Sequence, residues 1–197
     1  IRVLRADKDT TGTKHGFKEI YEKFLNHEAD VLIGTQMIAK GLHLPKVNLV
    51  GVILADIGLN IPDFRTAERN FQLMTQVSGR AGRMGNDGKV IIQTYNPNHF
   101  TLLCTQENNY EKFFKYERTQ RKLLSNPPFS KIAKIIIEDK SLKKCQKNTK
   151  KLENLLLTKR ETNIIEITSY PAYLTRLRGK YRYVILLKSA QNTDLLH

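Results

Sequence analysis

The sequence predicts an α/β protein: a parallel sheet with helices on both faces, followed by a small α+β domain. Three observations predict it. Short apolar runs alternate with stretches of helical periodicity through the first hundred residues. Strands that alternate with helices pair in parallel and are covered on both faces. After Pro127-Pro128 a different pattern begins, in which one lysine-rich helical stretch is flanked by β-type runs.

The elements follow in order. Residues 1–5 (IRVLR) read as a short strand and 7–16 as a polar turn. Phe17, Ile20, Tyr21, Phe24 and Leu25 recur at the spacing of one helix face. Residues 31–34 (VLIG) form a buried-type strand. Residues 47–56 are a second apolar run, bounded by Pro45 and by the stretch from Gly58 to Pro62. Helical spacing returns through Phe64, Ala67, Phe71, Met74 and Val77. Asn86-Asp87-Gly88 is a turn signal, and 90–95 (VIIQTY) is a third apolar strand. In a parallel sheet, ligands sit beyond the carboxyl ends of the strands. The loops after Gly34 and after Asp56, and the one preceding Lys89, are therefore where a site is expected. Residues 98–124 read as one long polar helix, stopped by Pro127-Pro128. A strand at 131–139, a lysine-rich helix at 142–157 and apolar runs at 164–167 and 183–187 complete the second domain.

Charge narrows the function. The 197 residues carry 33 Lys and Arg against 19 Asp and Glu, a formal net charge of +14. The excess is uneven. Residues 1–100 hold 13 basic and 10 acidic side chains, residues 101–197 hold 20 and 9, so +11 falls in the second part. A lysine-heavy solvated surface explains this as well as a polyanionic partner does, and nucleic acid is the sharper reading. No apolar run approaches the ~18 residues of a membrane span, and the first residues lack a signal-peptide layout. Cys104 and Cys145 stand far apart, in no metal or disulfide spacing, which fits a reducing cytoplasm. The chain does not begin with methionine, so it is expected to be a piece of a longer protein.

One stretch carries chemistry. Residues 76–83, QVSGRAGR, set two arginines three residues apart, each beside a glycine. Arginine's planar fork of donors suits phosphate oxygens, and glycine lets a phosphate approach the backbone. Such a pair at a helix end would stabilise charge that develops on a transferred phosphoryl group. Taken alone, the stretch reads more readily as a glycine-containing helix end with two exposed arginines.

It is not alone. QVSGRAGR resembles motif VI of the superfamily 2 helicases, QxxGRxGR, and residues 34–45 (GTQMIAKGLHLP) resemble their motif V. Further stretches are similar to the primosomal protein N′ (PriA) family of replication-restart helicases. Arg5, Asp7, Asp9-Thr10-Thr11 and Gly16 fit its R-x-D-x-D-T-T-x-x-K-G stretch, with Lys14 and His15 displaced from the final K-G. Pro62-Asp63-Phe64-Arg65 with Glu68-Arg69 fits PDFRxxER, residues 93–99 fit QTYNPxH, and residues 110–129 fit YExFYxxExxxRxxLxxPPF. Pro171-Ala172, Gly179, Tyr181-Arg182 and residues 185–187 echo its C-terminal domain.

The resemblance implies a second RecA-like lobe over residues 1–115 and a C-terminal domain, cut short at its end, over 116–197. It implies that Arg80 and Arg83 act catalytically as fingers toward the γ-phosphate of ATP. Gln76, Gly79, Gly41 and His43 bind nucleotide or couple its state. Thr35, Gln36 and Lys40 meet the DNA backbone. His43 stands where related helicases often carry an aspartate on the ribose, and Leu42 where the family often has histidine. The spacing around Lys40 is not that of a P-loop, GxxxxGK[ST]. Residues 27–30 (HEAD) precede a strand instead of ending one and read as a helix exit, not a DEAD-type box. His15, His27 and His99 lack partners at metal spacing. No Walker A loop or acidic Mg²⁺ box occurs in the chain, so ATP and Mg²⁺ are expected to bind with a first lobe outside it, and the chain alone is expected not to hydrolyse ATP. The family's zinc-binding cysteines are likewise expected before Ile1. Single-stranded and forked DNA, single-strand binding protein and primosome components are the implied partners, and no membrane is.

Arg176, Arg178, Lys180 and Arg182 alternate with Leu177, Gly179, Tyr181 and Tyr183. On one continuous strand the cations would share a face, where phosphates meet charge and bases stack on Tyr181. Gly179 is equally a hairpin turn that splits that face, and a charged edge strand that resists aggregation gives the same pattern. The reading is part of an ATP-dependent 3′→5′ DNA helicase that restarts stalled forks. Its rivals are another superfamily 2 nucleic-acid motor and a non-enzymatic nucleic-acid-binding module with relict motor motifs.

Overall fold

A computed structural model of the chain describes residues 1–7, 14–39, 44, 47–79, 88–159 and 162–190. They form two compact units. One gathers Ile1–Asn60 and Arg65–Tyr110, the other Ile61–Phe64 and Glu111–His197. The chain passes between them after Asn60, Phe64 and Tyr110, whereas the sequence predicts a single boundary at 115/116.

In the first unit, β1 (Val3–Ala6) pairs in parallel with β2 (Val31–Gly34), Val3 opposite Val31. β3 (Leu49–Val52) pairs in parallel with β4 (Lys89–Ile92), Leu49 opposite Lys89. Parallel neighbours need a crossover. Helix α1 (Lys14–Leu25) lies between the first pair in sequence, and α3 (Asp56–Leu59) and α4 (Thr66–Ser78) between the second. Two shorter helices, α2 (Gln36–Ala39) and α5 (Phe100–Gln106), complete the unit. The strands are shorter than the apolar runs that predict them. The run at 47–56 stops being a strand at Val52 because Leu54 takes a left-handed φ of 59° and Ala55 turns helical. Residues 27–30 are the helix exit that the sequence predicts. His27 sits at φ 58°, its N–H donates to Phe24 O at 3.2 Å, and Glu28 N–H donates to Lys23 O at 3.0 Å.

The core of this unit fixes α4. Ala55, Met74 and Leu102 are buried together, with Val52, Leu59, Leu73 and Ile92 packed around them. Asn70 is the polar member of the same helix face. Its buried amide donates to Gly58 O at 2.6 Å and to Thr66 O at 3.0 Å. A Cβ on Gly58 would run into the Asn70 side chain, so this bond requires glycine at 58. The long helix expected at 98–124 is two. α5 closes with Asn108 at φ 49°, Asn109 N–H donating to Cys104 O at 2.9 Å and Asn108 N–H to Thr105 O at 3.0 Å. This left-handed cap ends the helix, and α6 (Tyr110–Leu123) starts afresh.

The second unit is the α+β arrangement that the sequence predicts. β5 (Ser130–Asp139), β7 (Lys180–Ala190) and β6 (Ile164–Leu177) form an antiparallel sheet in the order β5-β7-β6. α7 (Leu142–Thr158) covers one face: Cys145 is fully buried, and Gln146 Nε2 donates to Tyr183 Oη at 2.9 Å. Side chains alternate across a strand, so Tyr183, Ile185 and Leu187 face α7 while Val184 and Leu186 face away. Lys134, opposite Leu186, and Tyr170, opposite Val184, share that second face. Asp63 reaches it, its Oδ2 3.8 Å from Lys134 Nζ. Arg121 holds its guanidinium 5.2 Å above the Phe64 ring and pairs with Glu117 at 2.9 Å. Four residues from the middle of the sequence are thus built into this unit.

Asn70→Ala should destabilise the first unit by about 1–3 kcal/mol, because two carbonyls lose their donor. Denaturant unfolding at neutral pH measures it. An unchanged midpoint would mean that water replaces the amide without loss.

Candidate functional site

Three of the four strands of the first unit lead into residues that the sequence singles out. After β1, Asp7 is buried and pairs with Arg5. β2 ends in Gly34, and Thr35 and Gln36 follow. A Cβ on Gly34 would meet the Ala6 carbonyl and the Ile38 side chain, so glycine here is a consequence of close β1–β2–α2 packing. Ile38 N–H donates to Thr35 O at 3.0 Å, which starts α2 and leaves Thr35 and Gln36 exposed at its beginning.

α2 lies against α4. The elements that carry Thr35 and Gln36 and those that carry Gln76 and Gly79 are therefore neighbours in one unit. On α4, Met74 and Val77 are buried while Gln76 is exposed. Gly79 caps the helix, its N–H donating to Thr75 O at 3.0 Å. Lys40, Gly41, His43, Arg80 and Arg83 lie outside the described residues, as do residues 80–87 of the loop that precedes Lys89.

Sequence reasoning missed Asp56. Its carboxylate joins the ends of β3 and β4: Oδ1 accepts from Thr94 Oγ1 at 2.9 Å and Oδ2 from Tyr95 N–H at 3.0 Å. Thr94 Oγ1 accepts in turn from Asn96 N–H at 3.0 Å. Burial pushes the carboxyl up, but the Tyr95, Thr94 and Asn96 donors together outweigh it and hold Asp56 below the usual aspartate range. The signal was present in an aspartate closing one apolar run and a polar QTYN closing the next. Nothing local says that the two meet across 38 residues. The Tyr95 ring stands 87% exposed beside this clamp.

In the second unit, the structure decides what Gly179 does. Arg178 (φ 49°) and Gly179 (φ 77°) are the two central residues of a tight hairpin, with Leu177 opposite Lys180 and Arg176 opposite Tyr181. Both central angles are positive, as a primed hairpin turn requires. The cations of this stretch therefore do not share one continuous strand face. Arg176, Arg178 and Lys180 are exposed, and the Arg176 guanidinium lies 5.3 Å from the Tyr181 ring centre. Arg182 is different: it is only 17% exposed and its Nε donates to Glu138 at 2.9 Å, while Lys180 is 51% exposed and 4.0 Å from the same carboxylate. A non-glycine residue in the left-handed region costs roughly 1–2 kcal/mol, so the hairpin tip carries its cation Arg178 at an energetic cost. His99 caps α5 through Nδ1, which accepts from Thr101 N–H at 3.3 Å. Among the described residues, no group of His, Cys, Asp and Glu is placed to hold a metal ion, and no helix is long and apolar enough to cross a membrane.

Residues 1–85 match the Helicase conserved C-terminal domain. The chain is 42% identical over 196 residues to "Replication restart protein PriA" of Bacillus subtilis, covering 98% of this chain and 24% of that protein. The chain matches the C-terminal region of PriA. PriA of Treponema pallidum is 39% identical (95% of this chain, 28% of that protein) and PriA of Synechocystis sp. 38% identical (95% and 23%). The chain thus spans about a quarter of the length of the PriA relatives that it matches. Among solved structures, the C-terminal domain of the DEAD-box protein Dbp5 aligns at a TM-score of 0.36 and 21% identity, over 60% of this chain and 68% of that one.

The Asp56 clamp gives a pH prediction. A carboxylate held below its ordinary pKa of ~3.9 stabilises the fold at neutral pH and loses that contribution as pH falls through its folded-state value. Asp56→Asn should therefore be less stable at pH 7, and its stability should fall less steeply than that of the parent protein between about pH 5 and pH 2. Parallel slopes in denaturant melts across that range would remove Asp56 from the clamp.

Proposed function

We propose that this chain is the second motor lobe and C-terminal domain of an ATP-dependent 3′→5′ DNA helicase that restarts stalled replication forks. The observation that carries the reading is the placement of α2 against α4, within a chain that matches proteins named for replication restart along nearly its whole length. That packing makes the helix that begins at Gln36 a neighbour of the helix that carries Gln76.

ATP, held with Mg²⁺ by a first lobe, supplies the phosphoryl group to be transferred. In this reading Arg80 and Arg83, which follow α4 in sequence, act on the charge that develops during the transfer. Gln76, one turn earlier and exposed, carries nucleotide state toward Thr35, Gln36 and Lys40. Gly41 and His43 line the nucleotide. The second unit grips single-stranded or forked DNA through Arg176, Arg178 and Lys180. Cys145 Sγ lies 3.5 Å from Tyr181 O. The first turns of α7, with Lys143, Lys144 and Lys147 exposed, therefore add charge at the same end of the sheet. Zinc in the parent protein, single-strand binding protein and primosome components as partners, and a cytoplasmic setting belong to the same reading.

Two outcomes test it. In the full-length protein, Arg83→Ala or Arg80→Ala should lower kcat for ATP by up to ~10³-fold or more with little change in KM, because a finger acts on charge present only in the transition state. Lysine should not restore the rate, since it lacks the planar fork. Near-normal turnover in both variants would remove the two arginines from catalysis. The hairpin is tested by salt titration of oligonucleotide binding. Replacing Arg176 and Arg178 with Ala should flatten the slope of log K against log salt by roughly one to two, at ~0.7 per lost phosphate contact on a single strand. Arg182→Ala should leave the slope nearly unchanged, because Glu138 already neutralises that cation. A larger slope change for Arg182 than for the Arg176 and Arg178 pair would place the DNA on the other side of the hairpin.

A further inference from the structure

The segment Ile61–Phe64 sits in the second unit, although α3 before it and α4 after it both belong to the first. Two contacts contribute to its hold there. Asp63, 14% exposed, lies 3.8 Å from Lys134 on the sheet face away from α7. The Phe64 ring lies under the Arg121 guanidinium at 5.2 Å, and Arg121 is itself fixed by Glu117 Oε1 at 2.9 Å and by a bond to Pro127 O at 3.4 Å. No spare chain separates this anchor from α4. Phe64 is followed by Arg65, the N-cap of α4, and the helix then runs unbroken from Thr66 to Ser78. At its far end stand Gln76 and Gly79, with Arg80 next in sequence.

The two sides of the excursion are stapled together inside the first unit. Asn70 Nδ2 donates to Gly58 O at 2.6 Å, joining the strand-side exit at Gly58 to the second turn of α4. Residues 58–70 therefore form a closed loop whose tip is held in the second unit and whose base is α4 itself. A segment that merely covered a sheet face would need neither the direct entry into α4 nor the staple at its base.

We propose that Ile61–Phe64 is a coupling strap: it transmits the state of the DNA-binding second unit to α4, and so to the arginines that follow it. The inference rests on the helicase reading above and adds a positioning role for Asp63 and Phe64, which touch neither nucleotide nor DNA in that reading. Binding of DNA to the second unit displaces four residues that lead through Arg65 into a helix N-terminus. A helix of 13 residues, about 20 Å long, carries that displacement to its other end as a rigid element.

The test uses the full-length protein. ATP turnover with and without a forked oligonucleotide, affinity for that oligonucleotide, and melting temperature are measured together for the parent protein, Phe64→Ala, Phe64→Tyr and Asp63→Asn. In Phe64→Ala, DNA-free turnover and DNA affinity should stay within about twofold while stimulation by DNA falls roughly fivefold or more. Phe64→Tyr keeps the ring face beneath Arg121 and should restore the stimulation. If Phe64→Ala melts before it can be assayed, Asp63→Asn, which keeps the side-chain volume and removes the charge facing Lys134, should still lower stimulation at unchanged DNA affinity. Full stimulation in a folded Phe64→Ala protein, or in Asp63→Asn, overturns the coupling. So does an equal loss in turnover with and without DNA, since that is what a purely structural segment gives. A parent protein whose ATP turnover does not respond to DNA overturns the helicase reading itself, and this inference with it; a parent that responds while the variants respond equally overturns the strap alone.

Discussion

Burial of one face of α4 is the constraint on which the rest of the first unit depends. Met74 enters the core with Ala55 and Leu102, and Asn70 on the same helix reaches the Gly58 carbonyl. Apolar burial alone would let a helix rotate or slide by a fraction of a turn at modest cost. A buried amide with two carbonyl partners does not allow this, because a shift strands polar groups without water. The helix axis and rotation are thereby set together. Everything assigned to phosphate chemistry inherits that setting: Gln76 is exposed because Met74 and Val77 are not, and the arginines begin where Gly79 ends the helix.

The same logic separates structural from functional charge. Asp56, Asp30 and Glu138 are all acidic groups with close donors, but they act differently. Asp30 and Arg2 form an exposed pair at 2.8 Å that ties the start of β1 to the start of β2, and such exposed pairs contribute little. Asp56 takes backbone and hydroxyl donors, which carry no compensating charge, and so locks a loop without leaving an ion pair on the surface. Glu138 neutralises Arg182 and leans on Lys180. In a domain with a large excess of positive charge, a carboxylate so placed chooses which cations remain available. It withdraws the one nearest the sheet and leaves those at the hairpin tip.

Much of this was legible in the sequence, and the parts that were not share a cause. The parallel class of the first unit, the α+β class of the second with its lysine-rich helix, the helix exit at His27 and the motif stretches all follow from local periodicity or local spacing. The turn at Arg178-Gly179 was legible only as one of two options, because a glycine between alternating residues fits either a strand or a hairpin, and φ is not written in the sequence. The single helix expected at 98–124 failed at Asn108, where an asparagine tolerated in the left-handed region ended α5 without a proline or glycine to announce it. The Asp56 clamp and the Asp63 and Phe64 anchors were invisible for a different reason: they are long-range pairings of residues that look like loop residues when read one at a time.

That last class explains why a boundary drawn along the sequence differs from the division in space. A boundary read from composition assumes that each domain takes a continuous stretch, and Pro127-Pro128 with the long helix before it invites such a cut. The second unit instead takes Phe64 as a ring for Arg121 and Asp63 as a counter-charge for Lys134. Lys134 and Tyr170 would otherwise stand on a sheet face with one helix on its other side only. A three-stranded antiparallel sheet with a single helix can leave its second face to water, and here Asp63 stands against part of that face. Asp63 comes from the residues that lead through Arg65 into α4. The residues that join the second unit thus lead, through Arg65, straight into the helix that organises the first.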